Sequence, residues 1–312
     1  MKLDKCYLLL GSTGVLGKNL KKYLESVSQD IFTVSRDKNN SLKKIKNHFS
    51  GDLSDKNFID DIAIKLSQKF MHIDIFYLAG TSSVEESLND IGTNFSKSII
   101  CYCNTLNAFR DKNVKIIFTS SGSVYGEKKL NYFSEKNKLI PASPYAATKI
   151  ACENLSLIYT NLYKMDIRIA RIFSTYGASM HKLFIYDCVK KMNNSKSEVV
   201  LRGSGKQIRD YLYIDDISSA LMTILNNGEY SNTYNVCSGK PQSISDIANK
   251  IRNSLKLNCI KITWSNIDTK SEKDQWYGNN SKLKRLGFKE KNSFDSMLDY
   301  TVKNIQKDLK EK

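Results

Sequence analysis

Three residues in the middle of the chain carry the side chains needed to transfer a proton to an oxygen atom. Tyr145 and Lys149 are four residues apart and would share one face of a helix. A phenol with a pKa of about 10 is a poor acid or base at neutral pH, but a nearby ammonium group favours the phenolate. Ser121, at the end of an apolar run, supplies a hydroxyl that could hold a carbonyl oxygen beside that phenol. Together the three side chains suit protonation of an oxygen while a hydride moves at its carbon.

Tyrosine and lysine at this spacing also occur on ordinary helix surfaces, so the meaning of the pair depends on a glycine-rich turn upstream. An apolar strand at 6–10 ends in Gly11-x-x-Gly14-x-x-Gly17, and leucines then recur at helical spacing. In such a strand-turn-helix unit the backbone can approach a pyrophosphate, whose charge is held by free N–H groups at the helix N-terminus. The turn therefore predicts a dinucleotide site.

With both motifs present, the chain resembles the extended short-chain dehydrogenase/reductase family, and within it the nucleotide-sugar epimerases, dehydratases and ketoreductases. The resemblance runs almost from end to end. Its further motifs are Asp52-Leu53, Leu78-Ala79-Gly80, 121–126, 171–177, 209–216 and Tyr234-Asn235-Val236.

The order of the predicted elements indicates an α/β fold. Alternating strands and helices predict a Rossmann-type, doubly wound parallel sheet, and the resemblance adds a smaller α/β C-terminal substrate domain. We expect the NAD(P)-binding domain at 1–172 plus about 209–237, and the nucleotide-sugar-binding domain at 173–208 and 238–312. Apolar strand candidates lie at 6–10, 31–35, 45–49, 73–78, 114–119 and 166–171. Helical candidates lie at 55–69, 89–110, 145–163, 181–193, 215–226 and 243–255.

Composition narrows the class of partner. The 312 residues include 48 basic and 32 acidic side chains, a net charge of +16. The lysines are spread along the chain without an arginine-rich tract, which argues against nucleic acid, while the charge would attract an anionic nucleotide substrate. The seven cysteines have no metal-ligand spacing and are typical of reduced core residues, so we expect no metal. No apolar run approaches the ~20 residues of a membrane span, so we expect a cytoplasmic protein without a membrane partner.

The end of the second strand bears on the choice of cofactor. An acidic residue there would bind the ribose hydroxyls of NAD. Here the strand ends in Ser35-Arg36, and a guanidinium can pair with a 2′-phosphate that a carboxylate would repel. Asp37 would restore an acid of the NAD type if the strand ended later. The sequence favours NADP(H) over NAD(H).

The resemblance implies three sets of site residues. Tyr145 would give the proton, Lys149 would contact the nicotinamide ribose, and Ser121 would orient the carbonyl. The cofactor set is Gly11, Thr13, Gly14, Val15, Leu16, Gly17, Ser35, Arg36, Asp52, Leu53, Leu78, Ala79, Gly80, Tyr145 and Lys149. The substrate set is Ser121, Ser123, Tyr145, Ser174 and Arg209.

Some of these residues have a second interpretation. Asp52, the expected adenine contact, could instead cap a helix starting near Ser54. Arg209, the expected diphosphate contact, could form a structural ion pair with its neighbour Asp210. Ser174 stands where many relatives carry an asparagine that contacts the phosphate. Asp274-Gln275-Trp276 could lie near the nucleotide, or Trp276 could belong to the core.

The two residues after Ser121 separate the reactions that the resemblance allows. Dehydratases and UDP-glucuronate decarboxylases of this group typically place a glutamate at the second of these two positions, whereas Gly122 and Ser123 have no useful acid–base group. The 3,5-epimerase-reductases resembling GDP-fucose synthase need a cysteine at Ser123 and a histidine that His181 could match. Reduction of a 4-keto sugar and inversion at C4 through a transient 4-ketone remain open.

Ser35-Arg36 favours the reductase: NADPH-dependent reduction of the 4-keto group of an NDP-4-keto-6-deoxy sugar, for surface polysaccharide such as lipopolysaccharide. The alternatives are an NAD-dependent NDP-sugar 4-epimerase and a catalytically silent NAD(P)-binding sensor or scaffold. The resemblance also implies a homodimer formed through helices 89–110 and 145–163, whose apolar faces could equally be ordinary core.

Overall fold

The computed structural model describes residues 2–36, 46–80, 87–88, 90–126, 132–265 and 275–311. In chain order its strands are β1 (Leu3–Leu10), β2 (Ile31–Ser35), β3 (His48–Ser50), β4 (Phe70–Tyr77), β5 (Val114–Ser121), β6 (Asp166–Ile172), β7 (Ser174–Tyr176), β8 (Glu198–Leu201), β9 (Ile208–Arg209), β10 (Tyr211–Tyr213), β11 (Thr233–Val236), β12 (Gln242–Ser243), β13 (Lys261–Trp264) and β14 (Gln275–Trp276). Its α-helices are α1 (Val15–Glu25), α2 (Lys56–Lys69), α3 (Ile91–Phe109), α4 (Pro144–Tyr163), α5 (Phe184–Asn193), α6 (Ile214–Asn227), α7 (Ile244–Ser254), α8 (Ser281–Arg285) and α9 (Phe294–Lys310), and a 3₁₀ helix spans Gly122–Tyr125.

Seven parallel strands form the main sheet, in the order β11-β6-β5-β4-β1-β2-β3. The chain winds outward from β1 in both directions, first through β2 and β3 and then through β4, β5 and β6. This is the doubly wound arrangement of a Rossmann fold, in which ligands bind beyond the carboxyl ends of the strands where the order reverses. The expected fold class is confirmed.

The apolar runs form strands because both faces of the sheet are covered. On β1, Leu8 and Leu10 pack into a core with α2, α3 and α4, whereas Leu9, which points the other way, packs with α1 and α6. All three leucines are fully buried. A strand buried on both sides gains from an unbroken run of apolar residues, which is why the period-two alternation of half-exposed strands is missing here.

Strand boundaries differ from expectation at two informative places. The strand expected at 45–49 begins only at His48, because Asn47 has a φ of 61°, a left-handed conformation that ends strand geometry. The strand expected at 114–119 continues to Ser121, because its pairing with β6 extends through Ser120 opposite Arg171 and Ser121 opposite Ile172. This extension carries Ser121 to the rim of the sheet.

The remaining strands form small sheets beside the main one, pairing as β10-β7, β12-β9-β14 and β13-β8. Helices α5, α7 and α9 cover a separate apolar core in this region, with Val189, Ile247 and Val302 fully buried. Sequence analysis did not predict α9. In the part of the chain that the structure describes, no helix is both long and apolar enough to cross a membrane.

A buried ion pair joins α4 to β6. The Arg171 guanidinium contacts both carboxylate oxygens of Glu153, with Nη2–Oε2 at 2.6 Å and Nε–Oε1 at 3.0 Å. The side chains are only 7% and 4% exposed. Burial alone would lower the pKa of Arg171, but the Glu153 carboxylate raises it. Ser120 donates to the same carboxylate and Tyr125 accepts from Arg171, so the network reaches the residues on both sides of Ser121.

We expect Arg171→Met to lower the free energy of unfolding by about 3–5 kcal/mol, because it leaves the Glu153 carboxylate buried and uncompensated. Urea denaturation measures this. The control is Lys21→Met, which breaks the exposed Lys21–Glu25 pair of α1 and should cost only about 0.3–0.5 kcal/mol. Equal small losses in both variants would show that the buried pair does not hold α4 to the sheet.

Candidate active site

The glycine turn after β1 is folded tightly against the ends of two neighbouring strands. Gly11 has a φ of +94°, and a Cβ there would lie 2.7 Å from the Ala79 backbone nitrogen. A Cβ on Gly17 would lie 2.5 Å from the Gly11 carbonyl oxygen, so α1 can start this close to β1 only with glycine. No side chain of the described residues caps α1 at Gly14. The first N–H groups of α1 thus fit a pyrophosphate, as expected of a dinucleotide site.

The end of β2 lies beside this turn. The Val34 carbonyl accepts hydrogen bonds from the N–H groups of Gly11 and Ser12, at 3.0 and 3.2 Å. Ser35 is the last residue of the strand and is buried, whereas Arg36 is exposed. The strand therefore ends where the sequence predicted, and Asp37 lies outside the described residues. Thr13, Val15 and Leu16, from the cofactor set, lie within the turn and the first turn of α1.

Asp52 does not cap the following helix. Helix α2 begins at Lys56 and is capped by Asp55, which accepts from the N–H groups of Asn57 and Phe58. Asp52 instead accepts from the Ser54 N–H at 3.0 Å and pairs with the Lys97 ammonium of α3 at 2.9 Å. Burial alone would raise the pKa of Asp52, but the bonds from Lys97 and Ser54 outweigh it and lower that pKa to about 2. A carboxylate therefore stays ionised where the adenine contact was predicted, next to the buried Leu53.

Helix α4 places Tyr145 and Lys149 by the way it starts. Ser143 caps the helix by accepting from the Ala146 N–H, and Pro144 occupies the first turn. Lys149 is 9% exposed and donates to the Thr119 carbonyl at 2.8 Å. Its Nζ lies 5.8 Å from the centre of the Tyr145 ring. The ammonium group therefore lies between the end of β5 and the phenol, as the spacing of four predicted.

Ser121 is oriented to donate a hydrogen bond. It is the last residue of β5 and precedes the 3₁₀ helix, where its Oγ accepts the N–H of Ser123 at 3.2 Å. A hydroxyl that accepts one hydrogen bond keeps its own proton for another partner. Ser121 can thus donate to a carbonyl oxygen beyond the strand end.

The 3₁₀ helix after Ser121 is tightly packed at Gly122. A Cβ there would lie 3.0 Å from the ring of Phe173, which follows β6. The Oγ of Ser123 is buried and has no hydrogen-bond partner among the described residues. The sequence has no carboxylate at either position. At Gly122 the packing against Phe173 would also resist a larger side chain.

Arg209 and Asp210 do not form an ion pair with each other in the described structure. The buried Asp210 carboxylate accepts from Ser238, Gly239 and Gly278 and so holds two loops together. Burial raises the pKa of Asp210, although those hydrogen bonds oppose the increase. The Ser174 N–H bonds the Asp210 carbonyl at 3.1 Å, which places both predicted phosphate contacts around this aspartate.

Trp276 lies beside Arg209, for which a substrate contact was predicted. In β14 it lies opposite Arg209, and its ring centre is 5.2 Å from that of Phe173. Its Nε1 lies 3.5 Å from the Gly122 carbonyl oxygen. The ring of Trp276 thus packs on the core and borders the residues after Ser121, and its place near a nucleotide stays a prediction. Asp274 lies outside the described residues.

A cleft of about 400 Å³, including the open space at its mouth, lies between the end of β4, α3 and α4. The cleft is lined by four of the predicted cofactor residues, Ala79, Gly80, Tyr145 and Lys149. Leu78, another predicted cofactor residue, directly precedes Ala79 in the sequence. Ser121, Ser123, Ser174 and Arg209 do not line it. In the described ranges, no group of three or more His, Cys, Asp or Glu side chains is arranged to hold a metal.

Several residues of this cleft were not predicted from the sequence, among them Ser87, Asn94 and Ser98. The Ser87 hydroxyl accepts the N–H of Tyr145 at 3.2 Å. Asn94 and Ser98 are four residues apart on α3, so their spacing was the one signal that could have revealed a polar stripe facing α4.

Comparison with known proteins agrees with this geometry. The chain is 26% identical over 308 residues to the low-salt glycan biosynthesis protein Agl12 of Haloferax volcanii, covering 95% of this chain and 96% of that protein. It is 26% identical over 296 residues to the UDP-glucuronate 4-epimerase of Thermodesulfobacterium geofontis, covering 86% and 90%. The fold matches a UDP-N-acetylglucosamine 4-epimerase from Methanobrevibacter ruminantium in complex with UDP-N-acetylmuramic acid, with a TM-score of 0.85 and 24% identity over 99% of this chain and 100% of that one.

The fold and the site define a Rossmann-type enzyme class that works with a nicotinamide dinucleotide. Residues 7–237 match the NAD dependent epimerase/dehydratase family, and the chain belongs to that family.

Two glycine variants should separate folding from binding at the turn. Gly17→Ala should lower the free energy of unfolding of the ligand-free protein by about 1–3 kcal/mol, because its Cβ meets backbone atoms that cannot move freely. Gly14→Ala, whose Cβ would lie 3.5 Å from the Gly11 oxygen, should leave that stability nearly unchanged but weaken dinucleotide binding. Thermal unfolding and a fluorescence titration measure the two effects. Destabilisation by Gly14→Ala equal to that by Gly17→Ala would contradict the described turn.

Proposed function

We propose that this protein uses NADPH to reduce the 4-keto group of an NDP-4-keto-6-deoxy sugar. One observation carries the proposal: β2 ends at the buried Ser35, and the exposed Arg36 follows it directly. Epimerisation at C4 keeps its cofactor bound and goes with an acidic ribose clamp, whereas Ser35 and Arg36 suit a 2′-phosphate. The site set of Ser121, Tyr145 and Lys149 is sufficient for the reduction.

Bound NADPH would supply the hydride for C4 of the sugar. Ser121 donates to the 4-keto oxygen and holds the carbonyl in place. The Tyr145 phenol gives its proton to that oxygen, so a C–H bond and an O–H bond replace the C=O double bond. Lys149 stabilises the resulting phenolate, which solvent reprotonates. The position of Ser121 at the end of β5 and of Tyr145 and Lys149 on α4 supports this assignment.

The substrate side supports a nucleotide sugar. Arg209 carries the positive charge proposed to bind the diphosphate, with Ser174 nearby through Asp210. The Ser123 hydroxyl, which has no hydrogen-bond partner among the residues that the structure describes, is proposed to bind a sugar hydroxyl. His181, the expected match to a second epimerase group, packs edge-on against the Tyr186 ring with 5.6 Å between ring centres.

A glycan pathway is the proposed setting, and the Haloferax relative, named for glycan biosynthesis, supports it. A homodimer is also proposed. Apolar side chains of α3 and α4 are exposed, including Ile100 at 47%, Leu157 at 49% and Leu162 at 67%, and a second copy would cover them.

The second candidate is an NAD-dependent NDP-sugar 4-epimerase. The Thermodesulfobacterium relative, named a UDP-glucuronate 4-epimerase, favours it. The same Ser121, Tyr145 and Lys149 would serve both reactions, so the catalytic residues do not separate them.

Tyr145→Phe should reduce turnover by about 10²–10⁴-fold, because it removes the proton donor and keeps the ring. Binding of the dinucleotide should change little. The matched control is Tyr163→Phe, which removes an exposed hydroxyl from the other end of α4 and should leave turnover intact. Near-normal turnover by Tyr145→Phe in a steady-state assay would reject the assignment.

Stoichiometry separates the two candidate reactions. Incubated with dTDP-, CDP-, GDP- and UDP-linked 4-keto-6-deoxy sugars, the protein should oxidise one NADPH for each sugar reduced, because the hydride stays on C4. It should be inert toward saturated UDP-glucose. Interconversion of UDP-glucose and UDP-galactose without added cofactor would instead establish the epimerase, and dinucleotide binding without turnover of any sugar would favour a sensor or scaffold.

A further inference from the structure

His48 lies beside the predicted adenosine end of the cofactor and bridges two hydroxyl groups of β2. Strand β3 runs parallel to β2 with His48 opposite Thr33. The His48 Nδ1 lies 2.7 Å from the Thr33 Oγ1, and its Nε2 lies 3.3 Å from the Ser35 Oγ. Thr33 and Ser35 are only 4% and 5% exposed. The imidazole is therefore held between two buried hydroxyls.

Ser35 stands at the edge of the sheet that faces the dinucleotide turn. The residue before it, Val34, bonds the turn through its carbonyl, and the Ser35 carbonyl accepts the N–H of Gly51 at 3.1 Å. Arg36 follows directly and is exposed. In folds of this type the ribose of the adenosine lies at the end of the second strand. A residue that orients the Ser35 hydroxyl therefore influences how a 2′-phosphate or a 2′-hydroxyl is bound.

The imidazole links the direction of the Ser35 proton to its own tautomer. A neutral imidazole has one N–H donor and one acceptor nitrogen. When Nε2 carries the proton, it donates to Ser35 and Thr33 donates to Nδ1, so the Ser35 proton is left for another acceptor. When Nδ1 carries it, Ser35 donates to Nε2 and presents only lone pairs. A 2′-phosphate only accepts and needs the first arrangement, whereas a ribose hydroxyl can donate to the second.

We propose that His48 is a positioning residue for cofactor choice. It donates from Nε2 to Ser35 and directs the Ser35 proton, beside the Arg36 guanidinium, toward the 2′-phosphate of NADPH. This inference rests on NADPH being the cofactor proposed above. It assigns a role in selectivity to a residue of β3 that makes no direct contact with the phosphate in this scheme.

The test is equilibrium titration of the purified protein with NADPH and with NADH, followed by fluorescence. His48→Ala should weaken NADPH by about tenfold, the scale of one hydrogen bond to a charged group, and change NADH by less than about twofold. The double variant His48→Ala with Ser35→Ala should bind NADPH no more weakly than Ser35→Ala alone, since His48 acts through Ser35. Equal losses for both cofactors, or additive losses in the double variant, would overturn the inference.

His72→Ala is the matched control, because His72 is also a strand histidine but bonds Asp74 and Asn113 instead. It should leave the ratio of the two affinities unchanged. Should His48→Ala fail to fold, Thr33→Val removes the hydroxyl that makes Nδ1 an acceptor and should shift selectivity in the same direction. An unchanged ratio in that variant would count against the inference. Tighter binding of NADH than NADPH by the wild type would overturn the proposed cofactor itself.

Discussion

The buried pair of Glu153 and Arg171 is the interaction on which the arrangement of the site depends. Glu153 lies on α4, four residues after Lys149 and eight after Tyr145, so the same helical face carries all three. Its carboxylate bonds Ser120, the neighbour of Ser121, as well as Arg171 of β6. A charge so deeply buried is stable only in one geometry. That geometry fixes the helix that carries Tyr145 and Lys149 against the strand that ends in Ser121.

Local pattern was sufficient for the parts of the fold in which neighbours along the chain are also neighbours in space. The apolar run before Gly11 and the Ser143-Pro144 start of α4 each define their element within a few residues. The second strand ended at Ser35 as expected. The short strands of the small sheets beside the main one were not predicted. A two-residue strand such as β9 is defined by its partners β12 and β14 and has no periodicity of its own.

The candidate site shows the same difference between features set by neighbours along the chain and features set by distant partners. The helical face shared by Tyr145 and Lys149 followed from their spacing, and the place of Ser121 followed from the apolar run before it, while their chemical roles stay predictions. Contacts that reach other predicted site residues from distant elements were not predicted: Lys97 reaches Asp52 from α3, and His48 reaches Ser35 from β3. Such contacts depend on strand register, which the sequence of one segment does not contain. Gly122 indicated from the sequence that a dehydratase carboxylate is absent. The tight contact of that position with the ring of Phe173 was visible only in the structure.

The late return of the chain to the main sheet has a consequence for biosynthesis. Strand β6 pairs with β11 from Ile169 opposite Thr233 to Ile172 opposite Val236. While the ribosome makes the intervening segment, the outer edge of β6 has no partner from its own sheet, and an open strand edge is a template for pairing with other chains. Asn235 lies on β11, and its side-chain oxygen accepts a hydrogen bond from the Tyr125 hydroxyl. The nascent chain thus keeps this aggregation-prone edge of β6 open until β11, the seventh strand of the main sheet, emerges.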